Sequence, residues 1–181
     1  MSEIKIYNLR IVPPNPVFNE VVHFKRQFIN TFGKQPLAKS KPHITLAVFE
    51  MDIQYQDILI KVFDQLSCIE KFKLDIQGFD IFENNANVLL LKVPKTDEIE
   101  YIHRQVKILM RRDFHRSQKS FEISNTPHMT ISKTDGKKML YESLAFFQKI
   151  GYSKEIAINH LTLVSRLKGK TWDWEHHIEL A

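Results

Sequence analysis

The tetrads Pro42-His43-Ile44-Thr45 and Pro127-His128-Met129-Thr130 stand 85 residues apart, each followed by an aliphatic residue, Leu46 or Ile131. A repeat of this kind constrains the fold strongly, because both copies need matching strand-like settings. In an extended strand alternate side chains share a face. His43 and Thr45 are then expected on one face, with Ile44, Leu46 and Val48 turned into a core. In the second copy His128, Thr130 and Ser132 share a face, while Met129 and Ile131 oppose it. The prolines fix the chain as it enters each strand and forgo one ladder hydrogen bond.

The surrounding pattern repeats as well. Residues 3–12 alternate as a strand and stop at Pro13-Pro14-Asn15-Pro16. Val17, Val21, Phe24, Phe28 and Phe32 recur at helical spacing up to a capping Gly33. The first tetrad strand spans 41–49; Ile58, Leu59, Val62 and Leu66 predict a helix, and 71–82 reads as a strand. After the turn-like Glu83-Asn84-Asn85, a strand at 87–93 precedes a helix capped by Thr96 or Asp97, with Arg111 and Arg112 near its negative end. The second tetrad strand follows, then a helix opened by Asp135-Gly136 and carrying Met139, Leu140, Leu144 and Phe147. Strands at 154–166 and 171–180 close the chain around Lys168-Gly169-Lys170.

The expectation is an α+β fold in which a strand-helix-strand-helix-strand unit occurs twice. Repeat 1 covers about 3–82, repeat 2 about 86–166, and 171–180 is a closing strand. Two pseudo-symmetric lobes would place both histidines across a central cleft. No linker rich in Pro, Gly or Ser separates them, so residues 1–181 are expected to form one bilobal domain.

Composition narrows the function classes. No apolar run approaches the roughly 20 residues of a membrane span, and MSEIKIYNLR lacks a signal-peptide core, so a cytoplasmic location without membrane attachment is expected. The lone Cys68 excludes an intrachain disulfide and a cysteine-built metal site. A net charge of +5 mildly favours an anionic partner.

One histidine in a half-buried strand is usually a hydrogen-bonded structural residue. A matched pair favours an acid and a base facing one substrate. A third H-x-T, His160-Leu161-Thr162, lacks the proline, and the 85-residue offset carries it to Asp75, so it stands outside the pair. The rival is zinc held by His43, His128 and His160, but no H-E-x-x-H or close carboxylate-histidine pattern supports it. There is no G-x-S-x-G for a serine nucleophile. No metal or cofactor is therefore expected.

The paired Pro-His-Ile-Thr-Leu and Pro-His-Met-Thr-Ile motifs, with duplicated elements around them, resemble the two-histidine phosphoesterase superfamily, in particular its bacterial 2′-5′ RNA ligase-like members. The resemblance runs through most of the chain, including Ile158–Arg166 and Trp172–Leu180. It implies a bilobal α+β fold with the H-x-T strands lining a groove, and metal-free cleavage or joining of 2′-linked or 2′,3′-cyclic phosphodiesters. It maps the catalytic pair to His43 and His128, and phosphate-holding hydroxyls to Thr45 and Thr130. Lys133 and Arg166 are further phosphate candidates.

Basic residues concentrate before each tetrad: Lys34, Lys39 and Lys41, then Arg104, Lys107, Arg111, Arg112, Arg116 and Lys119. Both segments are expected at one rim of the cleft, where they would attract a polyanion. Tyr7, Phe49, Trp172 and Trp174 are candidates to stack a base. The expected activity is a metal-independent phosphodiesterase opening 2′,3′-cyclic phosphates on RNA ends or small nucleotides. The alternatives are 2′-5′ phosphodiester cleavage, RNA ligation, or a non-catalytic RNA-binding module. No obligate protein partner is inferred.

Overall fold

The computed structural model describes residues 3–83 and 86–181; Asn84 and Asn85 of the expected turn lie outside the described residues. The chain runs β1 (Ile4–Ile11), α1 (Val17–Phe32), β2 (Ile44–Asp52), α2 (Gln56–Phe63), β3 (Phe72–Gln77), β4 (Phe79–Phe82) and β5 (Val88–Lys92). It continues through α3 (Asp97–Phe114), β6 (Gln118–Ile123), β7 (His128–Lys133), α4 (Gly136–Gln148), β8 (Ser153–Ile158), β9 (His160–Leu167) and β10 (Trp174–Glu179). Among the described residues no helix is long and apolar enough to cross a membrane.

The expected strand at 71–82 is two strands. Gly78, at a φ of +76°, turns the chain through a conformation that costs an L side chain energy, and the halves join different sheets. The 154–166 strand also divides, at Asn159 between β8 and β9, and its halves too join different sheets. β3 and β8 pair with each other as a separate two-stranded sheet, from Phe72 opposite Ile158 to Gln77 opposite Ser153. The breaks correspond at a spacing of 81 residues, not 85, so the repeat counterpart of His160 is Phe79.

The main sheet has the order β10-β9-β1-β2-β7-β5-β4, with β6 added along β2. Its two matching halves, β9-β1-β2 and β7-β5-β4, meet at the antiparallel contact of Ile44 with Met129. Each half borrows from the other repeat. β9 belongs to the second half of the sequence yet lies beside β1, and β4 belongs to the first yet lies beside β5. The helices cross over too: α1 packs against β7, and α3 against β2. The sequence repeats are therefore not the lobes, because each repeat buries its apolar surface against the other.

The helices form because their apolar residues fall on one face. α3 turns Ile99, Ile102, Val106, Leu109, Met110 and Phe114 inward, and Thr96 Oγ1 accepts from the Ile99 amide at 3.4 Å as its N-cap. These residues share one core with Ile44, Leu46, Phe49, Met129 and Ile131. The helices thus cover one face of the sheet and leave the other open as a groove. β6 was not anticipated. Its exposed and half-buried residues carry little strand pattern, and pairing with β2 defines it.

Candidate active site

The groove face of β2 and β7 is set by a bulge at the same place in each. On β2, Leu9 pairs with Ala47 and Arg10 with Thr45, so Leu46 is the extra residue. On β7, Leu89 pairs with Ser132 and Leu90 with Thr130, so Ile131 is the extra residue. A bulge of this kind reverses the inside-outside alternation beyond it. Ala47 and Ser132 consequently join the core as fully buried residues. Val48 and Lys133 turn out beside the H-x-T side chains. Both earlier expectations are corrected: Val48 does not point into the core, and Ser132 does not share the face of His128. Lys133 does share it.

His43, Thr45, His128 and Thr130 are half-buried and face the groove on either side of the Ile44–Met129 contact. Carried one residue each way, that register sets His43 opposite Thr130 and Thr45 opposite His128. The two rings are held identically. His43 Nδ1 lies 2.8 Å from the Lys41 carbonyl oxygen, and His128 Nδ1 lies 2.8 Å from that of Thr126. A carbonyl oxygen only accepts, so each Nδ1 carries the proton and each Nε2 is left as the working nitrogen.

Burial lowers the pKa of both imidazoles. His43 is pushed down to about 4, by desolvation first and then by the charge of Arg10, with lesser contributions from Lys25 and His128, against the opposing Lys41 hydrogen bond. His128 is lowered by burial, partly offset by its bond to Thr126. Both are neutral at pH 7 without ligand, and an anion between them would raise both. Such a pair can take a proton on one side of a phosphorus and give one on the other, while the threonine hydroxyls donate to non-bridging oxygens.

The walls differ. On the β1 side Arg10 lies opposite Thr45, and Asn8 donates from Nδ2 to Thr45 Oγ1 at 3.4 Å. On the β5 side Leu90 lies opposite Thr130, Lys92 opposite His128, and Phe82 meets the His128 ring edge-on at 4.8 Å. Sequence reasoning missed Asn8, Arg10 and Phe82, which carry no motif and reach the site only through strand pairing.

Other expected residues fall elsewhere. His160 faces the groove on β9, two strands from β2 and hence about 10 Å away, with its ring 5.1 Å from that of His177. Among the described residues no group of three or more His, Cys, Asp or Glu could hold a metal ion. Tyr7 and Phe49 stack on each other in the core, with ring centroids 5.4 Å apart. Trp174 packs against the core and stacks on His176; Trp172 is exposed and meets Arg166. Arg104, Lys107, Arg111 and Arg112 ride on α3, in the helix layer behind the sheet, which corrects their placement at the cleft rim. Surface hollows lined by Gly78, Phe79 and Tyr152, and by Glu20, His23 and Lys154, do not touch the histidine pair.

Residues 13–170 match the family model of the 2′-5′ RNA ligase superfamily. Among solved structures, TT0787 of Thermus thermophilus superposes with a TM-score of 0.70 at 15% identity, covering 97% of this chain and 98% of that one. LigT of E. coli complexed with 3′-AMP gives 0.65 at 15% identity, with 97% and 99% covered. LigT complexed with NADP+ gives 0.64 at 14%, again with 97% and 99% covered. No curated protein matches this sequence significantly. At such identities the structural likeness shows a shared fold.

Proposed function

The chain belongs to the 2′-5′ RNA ligase superfamily, and from that membership we propose that it hydrolyses 2′,3′-cyclic phosphates on RNA ends or nucleotides, with His43 and His128 as acid and base. The observation that carries this reading is the matched pair of rings on one face of the sheet, each held through Nδ1 by a carbonyl two residues back, and each with Nε2 unbonded among the described residues.

In the proposed reaction one neutral histidine takes a proton from water as its oxygen bonds to phosphorus. The P–O bond to one ribose oxygen breaks, and the second histidine, charged because the bound phosphate raises its pKa, gives that oxygen its Nε2 proton. Each placed acid or base typically contributes roughly 10²–10⁴-fold. Thr45 and Thr130 hold the non-bridging oxygens, where charge builds, and Lys133 supplies a cation from the β7 side. No cofactor enters these steps. Cleavage or joining of 2′-5′ linkages uses the same two proton transfers, and remains the alternative activity of this site. A non-catalytic RNA-binding role would leave two histidines flanking phosphate unexplained.

The test is an assay panel of 2′,3′-cyclic nucleotides, cyclic-phosphate RNA ends and 2′-5′-linked oligonucleotides, with EDTA present throughout. The expected result is turnover of the cyclic phosphates. Turnover of 2′-5′ linkages alone would select the alternative, and loss of activity in EDTA with recovery on adding zinc would overturn the acid-base assignment.

A further inference from the structure

We propose that Arg10, Arg166 and Trp172 form a second anion site, which holds a phosphate of the substrate other than the one cleaved. This rests on the phosphodiesterase reading above and narrows its substrate to nucleotides that carry a second phosphate.

Two guanidinium groups converge on one indole: Arg10 Cζ lies 4.5 Å and Arg166 Cζ 4.8 Å from the Trp172 ring centroid. Arg10 is only 4% exposed. Its Nε donates to Asn8 Oδ1 at 3.1 Å, and Arg166 Nη1 donates to the Lys170 carbonyl at 2.9 Å. Arg10 Nη2 and Arg166 Nε are buried without a partner, as is Thr162 Oγ1, which belongs to the β9 residue opposite Arg10. Neither arginine forms an ion pair among the described residues. Glu175 on β10 is the acidic group whose charge acts on Arg10, and the charge of Arg166 opposes it. A buried guanidinium beside a half-buried one, each with an unused buried donor, is costly unless an anion joins them. Arginine's planar fork is suited to phosphate.

The position makes the anion part of a substrate. Arg10 lies across from Thr45, and its side chain bends back along β1 to Asn8, which itself bonds Thr45. Asn8 is paired with Val48, one pair row beyond Thr45 on the groove face. Two residues of strand rise put this row about 7 Å from the threonine. That step suits a neighbouring phosphate on the same or the preceding nucleotide. Among the described residues the other half of the groove has no arginine in this place: Leu90 and Val88 stand opposite Thr130 and Lys133, where Arg10 and Asn8 stand opposite Thr45 and Val48. The duplicated chemistry does not require this site, so it serves to orient a substrate in a nearly symmetric groove.

The experiment compares kcat/KM for adenosine 2′,3′-cyclic phosphate with and without a 5′-phosphate, and for the cyclic-phosphate dinucleotide ApA. It is run on the wild type and on Arg166→Gln, whose side chain is only half-buried. The 5′-phosphate and the internucleotide phosphate should each raise kcat/KM about tenfold or more in the wild type, and the ratio should collapse toward one in the variant. A gain from only the internucleotide phosphate identifies an RNA end as the source. Ratios near one in the wild type, or ratios kept by the variant, overturn the site. Calorimetric binding of adenosine 3′,5′-bisphosphate and of the 3′-phosphorylated dinucleotide ApAp against adenosine 3′-phosphate decides the matter independently of turnover. Tighter binding of either, lost in Arg166→Gln, upholds the site even if no cyclic phosphate is hydrolysed. Equal affinities reject it even if hydrolysis is found.

Discussion

Ile44 and Met129, the residues that follow the two histidines, are each other's partners where the halves of the sheet meet. They are equivalent positions, so the pseudo-twofold axis passes through this contact and carries His43 onto His128. The proposed acid and base are therefore as far from the axis as each other, and local environment decides how they differ.

His43→Ala and His128→Ala should each lower kcat/KM by at least about 10²-fold while the thermal unfolding transition stays intact, because both side chains face the groove. His160→Ala should change kcat/KM far less. Equal losses in all three folded variants would remove the distinction between the symmetric pair and His160.

The pH dependence of kcat/KM should be bell-shaped with its maximum on the acid side of pH 6.5, since both histidines of the free enzyme have lowered pKa values. The kcat profile should lie at higher pH, because bound phosphate favours the charged imidazoles. Measuring both profiles on one substrate checks this, and coincident profiles would contradict the role of the phosphate charge.

Stability should fall as pH drops from 6.5 to 4. His103, 4% exposed on α3 with Nε2 unpartnered, is pushed down to about 4 by burial and then by Lys95 and Lys107. Between these values the unfolded chain binds more protons than the folded one, so stability rises with pH, by at most about 1.4 kcal/mol per unit for each such group. Urea unfolding of His103→Leu should show a flatter slope over this window. An unchanged slope would leave His43 and His128 as its source.

Lys25→Met should destabilise the protein by about 1–3 kcal/mol and lower kcat/KM as well. The buried ammonium donates to Leu37 O at 3.1 Å, Ser40 Oγ at 3.2 Å and Ile131 O at 3.0 Å. It thereby ties the loop leading to His43 onto the bulge of β7. Loss of stability with full activity would make the tie structural only.

Charge reversal at Arg111 and Arg112 should leave KM for a cyclic-phosphate RNA end unchanged, since these residues lie in the helix layer and Arg112 already pairs with Asp113 at 2.7 Å. A raised KM with a reduced salt slope would bring RNA around the back of the sheet.

The sequence alone determined what depends on near neighbours along the chain. Period-2 and period-3.6 patterns located most strands and all four helices, Thr96 capped the helix it was expected to cap, and the repeated tetrads picked out the histidine pair. Tertiary structure decided what depends on pairing between distant segments. A bulge appears only when β2 and β7 are set against β1 and β5, which leaves Leu46 and Ile131 without a place in those registers, and it alone turns Lys133 out and Ser132 in. The break at Gly78 sends β3 and β4 to different sheets, so the halves of the groove exchange strands between repeats. Arg10 meets Arg166 and Trp172, which are near each other in sequence but far from it, through β1–β9 pairing. Backbone hydrogen bonds between strands carry no side-chain signature, and for that reason the two central strands of the groove were legible in the motifs while the residues that distinguish its two walls were not.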